Sequence, residues 1–203
     1  MPFIVNKPTA VPLSGDDIQD GTIGLADLSA TGTKDATTFL RGDNTFASAG
    51  GNNTPAFHAY LSSNQTITSG TMTKPQFDTE IVDTDGCFDN STNYRFTPTT
   101  AGKYFIYAQV KPDVNGGSEF QYAYFNIRKN GSDIIRGNID FRNGTGGYSN
   151  GLLVNGIVDA NGSSDYFEVF GEVGDSVTGS APRFKGGSTI QETYFGAYKL
   201  IGV

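Results

Sequence analysis

Residues 101–110 read Ala101-Gly102-Lys103-Tyr104-Phe105-Ile106-Tyr107-Ala108-Gln109-Val110, and the fold turns on how this run is read. Strand alternation places Tyr104, Ile106, Ala108 and Val110 on one side and Phe105 and Tyr107 on the other. Both sides are apolar, so a strand with one buried face does not account for the run. The second side is expected to meet another subunit. The same two-sided character recurs at Tyr122-Ala123-Tyr124-Phe125-Asn126-Ile127, which leads into Asn130-Gly131. That dipeptide is a strong hairpin signal, because the favoured two-residue turns need positive φ.

Working outward, period-two patterning dominates from Ala56 onward and no helix-length periodic segment is present. Residues 57–68 start as a strand. Residues 77–83 follow the Lys74-Pro75 punctuation with Phe77, Thr79 and Ile81 on one face, and turn chemistry returns at Asp85-Gly86. Further predicted strands are Tyr94-Arg95-Phe96-Thr97-Pro98, a return strand opened by Ile134 and Ile135, residues 152–158, Tyr166-Phe167-Glu168-Val169-Phe170 and residues 193–201. In the Tyr166 strand, Phe167 and Val169 form the core face. On the other face Glu168 and Glu172 alternate with Tyr166 and Phe170, which predicts partial exposure. Strands so spaced predict an all-β sandwich.

Composition agrees. The chain has 203 residues with 27 Gly, 15 Phe, 10 Tyr and no Trp, a profile of many short strands and tight turns rather than helices. Its length suits one domain of ordinary size plus an extension. A net charge of −7 without Lys/Arg clusters argues against nucleic acid as a partner. The lone Cys87 forms no internal disulfide, so packing or assembly must hold the fold. No apolar run is long enough to insert in a membrane, and the start lacks the features of a signal peptide, so Sec-type export is not expected. The sequons at Asn52, Asn64, Asn90, Asn130, Asn143 and Asn161 are read as turns.

The region before Ala56 differs. Residues 1–30, with Pro8, Pro12 and Asp17-Ile18-Gln19-Asp20-Gly21-Thr22-Ile23, cannot bury a core alone and are read as a mostly non-globular attachment segment. Residues 31–55 form a joint and linker. They contain Thr38-Phe39-Leu40-Arg41-Gly42-Asp43-Asn44-Thr45-Phe46, followed by a small, polar connector. The Phe-Leu-Arg-Gly-Asp-x-Thr-aromatic signature resembles phage tail fibres and related appendages, and the Asp-Ile-x-Asp-Gly-x-Ile pattern resembles their leaders. Arg41-Gly42-Asp43 is read as structural rather than integrin-binding. Phe39, Leu40 and Phe46 pack around a narrow axis, and Arg41 pairs with Asp43 of its own or a neighbouring chain, knitting a trimer joint.

Residues 56–203 carry a second resemblance, to the trimeric jelly roll of complement component 1q heads and the tumour necrosis factor superfamily. Ala56-Phe57-His58-Ala59 resembles the opening strand, and Cys87-Phe88-Asp89 the turn before Tyr94-Arg95-Phe96-Thr97-Pro98. Ala101-Gly102-Lys103-Tyr104-Phe105 resembles the family's core motif, with one extra residue between Pro98 and Gly102. The Ile127-Arg128-Lys129-Asn130-Gly131 hairpin and the closing Tyr194-Phe195-Gly196-Ala197-Tyr198 also fit. The resemblance implies a homotrimer with Tyr104, Phe105, Tyr107, Tyr122, Tyr124, Tyr194 and Tyr198 at its interface. Some family members bind calcium, and Asp83, Asp85 and Asp89 share one acidic loop, but their spacing matches no dedicated calcium loop. They are read first as turn aspartates.

No catalytic constellation is present. His58 sits beside Phe57 and Tyr60 as a structural histidine, Cys87 has no histidine nearby in sequence, and Glu168 and Glu172 form a surface pattern. No cofactor is implied. The expectation is a phage virion protein, a trimeric tail or short fibre on the virion surface. Residues 1–30 dock to other virion proteins, and the head recognises a host cell-surface glycan or protein. Candidate contact loops are residues 114–118, 142–150 and 179–187, which hold Tyr148, Arg183 and Phe184. The alternatives are a capsid decoration or head fibre, a secreted cytokine-like or adhesion trimer, and a glycan-degrading spike with a carboxylate cluster in a groove.

Overall fold

The computed structural model describes residues 24, 29–48, 53–115, 119–148, 150–175 and 181–202. Every regular element among them is a strand. The chain divides into two compact units, Met1–Gly51 and Asn52–Val203.

In the first unit, Thr38–Leu40 (β1) pairs antiparallel with Phe46–Ser48 (β2). The joint signature is therefore a hairpin. Its turn is closed by Arg41 N–H donating to Thr45 O at 2.8 Å and Asn44 N–H donating to Arg41 O at 3.0 Å. Asn44 takes a left-handed conformation at φ 60°, which Asn tolerates better than most residues. The Asp43 carboxylate accepts both the Thr45 hydroxyl at 2.6 Å and the Thr45 N–H at 3.2 Å. Asp43 thus shapes the turn first, and its contact with Arg41 is a single exposed one at 3.8 Å within the same chain. Phe39 is 61% exposed and Leu40 47%. The expected attachment segment lies, apart from Gly24, Ser29 and Ala30, outside the described residues, as do linker residues 49–52.

The second unit contains Ala56–Tyr60 (β3), Gln65–Thr66 (β4), Thr79–Asp83 (β5), Phe88–Asp89 (β6), Arg95–Phe96 (β7), Gly102–Val110 (β8) and Pro112–Val114 (β9). It continues with Phe120–Lys129 (β10), Ser132–Asp140 (β11), Leu152–Ala160 (β12), Phe167–Asp175 (β13), Pro182–Phe184 (β14) and Tyr194–Lys199 (β15). One five-stranded sheet has the order β12-β8-β15-β3-β5, and a second has the order β11-β10-β13-β7-β6. A small third sheet, β4-β14-β9, completes the unit. The ladders within these sheets are antiparallel, and neighbours in each sheet are mostly distant in sequence, as in a jelly-roll sandwich. The β10–β11 hairpin turns at Asn130 (φ 51°) and Gly131 (φ 82°), as their residue types predict.

The core lies between the two large sheets and is aromatic. Phe57 of β3 stacks on Phe88 and on Phe96, each at 4.6 Å between ring centres, and meets Phe195 edge-on at 4.9 Å. Phe77, Tyr104, Ile106, Phe120, Phe125, Ile127 and Phe167 are fully buried with them. Offset and edge-on aromatic pairs each add about 0.5–1.5 kcal/mol beyond area burial, which suits a chain whose one cysteine is free.

Several strand readings need correction. Residues 57–68 are split into β3 and β4 by a turn. Phe77 and Ile81 do not share a face: Phe77 is buried in the segment preceding β5, whereas Ile81 is 58% exposed. A register shift between His58 and Ala59 accompanies the β3–β5 pairing. Glu168 is not partly exposed but 7% exposed, because Lys74 reaches across to pair with its carboxylate. Residues 179–187 are no plain loop, since they contain β14.

Candidate functional site: the aromatic outer face of one sheet

The outward residues of β8 are Phe105, Tyr107 and Gln109, alternating with buried Tyr104, Ile106 and Ala108. Sheet order brings Tyr194 and Tyr198 of β15 and His58 of β3 alongside them. Gly196 lies opposite both Tyr107 and His58, and Tyr198 lies opposite Phe105. From β12, Leu153, Asn155 and Ile157 face Gln109, Tyr107 and Phe105. The rings form one connected set: Phe105 is 5.6 Å from Tyr198 and 6.0 Å from Tyr107, and His58 is 5.9 Å from Tyr107 and 5.4 Å from Tyr194.

The polar atoms within this set are tied to one another. The Tyr107 hydroxyl lies 3.0 Å from His58 Nδ1, Gln191 Oε1 lies 3.0 Å from His58 Nε2, and Gln109 Nε2 donates to Glu192 O at 3.0 Å. Burial, followed by the neighbouring Tyr194 and Tyr198, pushes the Tyr107 phenol up. A groove of about 500 Å³ runs over His58, Phe105, Tyr107, Leu153, Asn155 and Tyr194. At Gln191 it meets a second groove, of about 610 Å³, bordered by Lys111, Leu152, Ile190 and Glu192. Leu153, Ile157 and Ile190 are all more than half exposed, so the face is an apolar patch with an internally satisfied polar centre.

The opposite sheet has a different outer face. Tyr122 and Tyr124 of β10 point outward there, with Arg142 over the Tyr122 ring at 5.1 Å. Tyr122 donates its hydroxyl to Glu172 at 3.0 Å. Arg128 lies 4.1 Å from the centre of the Phe170 ring and bonds Asp133, which also receives Arg136. Asp140 is held down to about 2 by hydrogen bonds from Arg142. This face is covered by its own ion pairs and cation–π contacts. The expected interface set is therefore divided. Phe105, Tyr107, Tyr194 and Tyr198 share one face, Tyr122 and Tyr124 occupy the other, and Tyr104 is buried in the core with its hydroxyl donating to Thr100 O at 2.6 Å.

The remaining candidates also sort by position. Asp83 accepts the N–H groups of Cys87 and Phe88, and Asp89 accepts those of Ser91, Thr92 and Asn93. Both carboxylates organise turns. Among the described residues no group of three or more His, Cys, Asp and Glu side chains is placed to hold a metal ion. Phe184 is fully buried beside Phe125, so it cannot meet a receptor. Arg183 bonds Asp113 at 2.6 Å and Asn115 at 3.1 Å. Tyr148 is 60% exposed, with its hydroxyl bonded to Glu119. Cys87 Sγ contacts Asp85 O and the Thr99 hydroxyl, each at 3.7 Å. His58 and Gln191 were not among the expected interface residues. The signal for His58 was available, since Phe57 and Ala59 as core residues turn residue 58 outward; Gln191 had none.

No protein-family model and no curated protein sequence matches the chain. Among solved structures, murine APRIL at pH 5.0 matches with a TM-score of 0.50 at 12% identity, covering 71% of this chain and 98% of that one. The globular domain of zebrafish complement 1qA matches with a TM-score of 0.45 at 11% identity, over 72% and 97% of the two chains. Eiger TNF from S. frugiperda matches with a TM-score of 0.48 at 8% identity, over 71% and 91%. The fold is a jelly roll like that of murine APRIL. At these identities the likeness concerns the fold alone. Among the described residues of this jelly-roll protein, no helix is long and apolar enough to cross a membrane.

Proposed function

We propose that the chain is a structural phage virion protein, a tail or short-fibre subunit whose jelly-roll head assembles as a homotrimer and recognises the host cell surface. The observation that carries the trimer is the connected aromatic face of Phe105, Tyr107, Tyr194 and Tyr198, set against an opposite face closed by its own ion pairs. A large aromatic side chain buries roughly 150–250 Å² when covered, so several per subunit supply the core of a specific interface. Cyclic closure by like copies hides such a patch without leaving an open, growing end.

The appendage role is supported by the Phe-Leu-Arg-Gly-Asp hairpin, whose Phe39 and Leu40 are exposed for packing against neighbouring copies. In this reading residues 1–30 dock to other virion proteins, and Tyr148, exposed near one candidate loop, offers an aromatic contact to a host glycan or protein. A secreted cytokine-like trimer is the second reading, since the jelly-roll fold, which murine APRIL shares, serves it equally. One experiment separates them. Deleting residues 1–30 is expected to leave the head trimeric by native mass measurement while abolishing its incorporation into phage particles. A full-length chain that never enters particles sinks the appendage role, and a monomer in native mass measurement sinks the trimer.

A further inference from the structure

His58 is the chain's only histidine and lies at the centre of the aromatic face. Its Nε2 is 3.0 Å from the side-chain oxygen of Gln191, which can only accept, so Nε2 carries a proton. In the neutral ring Nδ1 is then bare and accepts from the Tyr107 hydroxyl at 3.0 Å. The neutral imidazole completes both contacts. A second proton, on Nδ1, turns an acceptor into a donor facing a hydroxyl that was itself donating, and the Tyr107 proton must turn elsewhere.

The surroundings do little to welcome that cation. Its bonded partners are a phenol and an amide, and the other titratable side chains on this face are the phenols Tyr60, Tyr194 and Tyr198. The charged groups on the elements packed beside it are Glu80 and Asp83 of β5, Lys103 of β8, Lys199 of β15 and, around Gln191, Glu192 with Lys111 and Lys185, which both pair with it. Asp83 is committed to the N–H groups of Cys87 and Phe88, and Lys103 pairs with Asp159 of β12. Neither ring nitrogen is hydrogen-bonded to a carboxylate. Covering the face with a second copy would remove the water that solvates a charged ring.

We infer that self-association through this face is governed by pH through His58: copies join while the imidazole is neutral and separate as it takes up a second proton. This rests on the proposed self-association. Assembly is therefore strong while the ring holds one proton and weakens as the pH falls and the ring takes up a second. With one such proton per subunit, the association weakens by up to about tenfold per subunit for each pH unit.

Sedimentation equilibrium of the full chain tests this at about pH 7.5 and about pH 5, at a concentration near the midpoint of assembly. The mass is expected to fall toward 21.6 kDa at the lower pH. His58→Gln is expected to assemble at both values with no such fall. Equal wild-type assembly at the two values, or an equal fall in the variant, overturns the inference while leaving the trimer intact. A wild-type chain that is monomeric throughout overturns the trimer reading as well. Should the variant fail to fold, the sole histidine's ring resonance serves instead: its pH midpoint must rise when the assembled chain is diluted, and an unchanged midpoint overturns the inference.

Discussion

The Tyr107 ring lies against Gly196, so closely that a Cβ on residue 196 would come within 2.4 Å of both Cζ and Oη of Tyr107. The two residues are cross-strand neighbours on β8 and β15, and the glycine leaves the space in which the Tyr107 hydroxyl meets His58. Gly196→Ala is expected to swing that ring off the face. Overpacking of this kind costs about 1–3 kcal/mol, read as a lower midpoint in thermal unfolding. The larger effect is expected in light scattering, where the variant loses self-association. A variant that stays assembled at wild-type strength would show that Tyr107 is not part of the contact.

The two outer faces make opposite predictions. Phe105→Glu places a carboxylate among Tyr107, Tyr198 and Ile157, and is expected to give a folded chain of monomeric mass. Tyr124→Ser, on the other sheet, removes an aromatic of similar size and is expected to leave the assembly unchanged. Native mass measurement of both variants decides the matter. Dissociation by Tyr124→Ser alone would move the interface to the ion-paired face.

What was legible in the sequence was local or periodic. Asn130-Gly131 announced its hairpin through the φ values that those residue types accept. The double-sided pattern of residues 104–110 announced a strand apolar on both sides. Alternation put Phe105 and Tyr107 on the second side, yet Tyr104 was also counted at the interface, because both sides are apolar and a shift of one residue exchanges them. Sheet order settles it: β8 lies between β12 and β15, with Tyr104 inward and Phe105 outward. Tyr122 and Tyr124 looked equivalent to Tyr107 until β10 took its place in the other sheet, where Arg142, distant in sequence, covers Tyr122. Phe184 was misread for a related reason. Its short strand exists only through pairing with residues about 70 and 120 positions away, such as Asp113 and Thr66, which no window of the sequence reveals.

In the pair formed by Lys74 and Glu168 the carboxylate is nearly buried and the lysine partly exposed, and Lys74 also donates to Asn93 O at 2.8 Å and lies 5.2 Å from the centre of the Phe170 ring. Lys74→Met leaves the Glu168 carboxylate without its cation in a dry position, a change that costs about 3–5 kcal/mol. Arg142→Met removes a pair in which both partners are well exposed, and is expected to cost no more than about 1 kcal/mol. Urea unfolding compares the two. Equal losses would mean that Glu168 finds another partner or water.

The stability of the head is expected to fall at both ends of the pH scale, for different groups. At the acid end, hydrogen bonds from Asn130 and then Lys129 hold the Asp165 carboxyl below its ordinary value of 3.8. A carboxyl with a lowered folded-state value stabilises above its unfolded value and loses that contribution as pH drops through the folded one. At the alkaline end, burial, followed by electrostatic interaction with Cys87 and Asp85, pushes the Tyr104 phenol from 10.0 up to about 12. A raised value has the opposite sense: the contribution is complete below pH 10 and is lost as pH rises toward 12. Tyr104→Phe keeps the ring but loses the hydrogen bond to Thr100 O, at a cost of about 1 kcal/mol near neutrality. The variant is expected to lose stability less steeply than wild type above pH 10, while its acid limb is unchanged. Tyr107 and Tyr122 shift in the same direction, so the alkaline slope is reduced rather than abolished. Denaturant midpoints measured across the pH range check this, and an alkaline limb equally steep in the variant would remove Tyr104 as its cause.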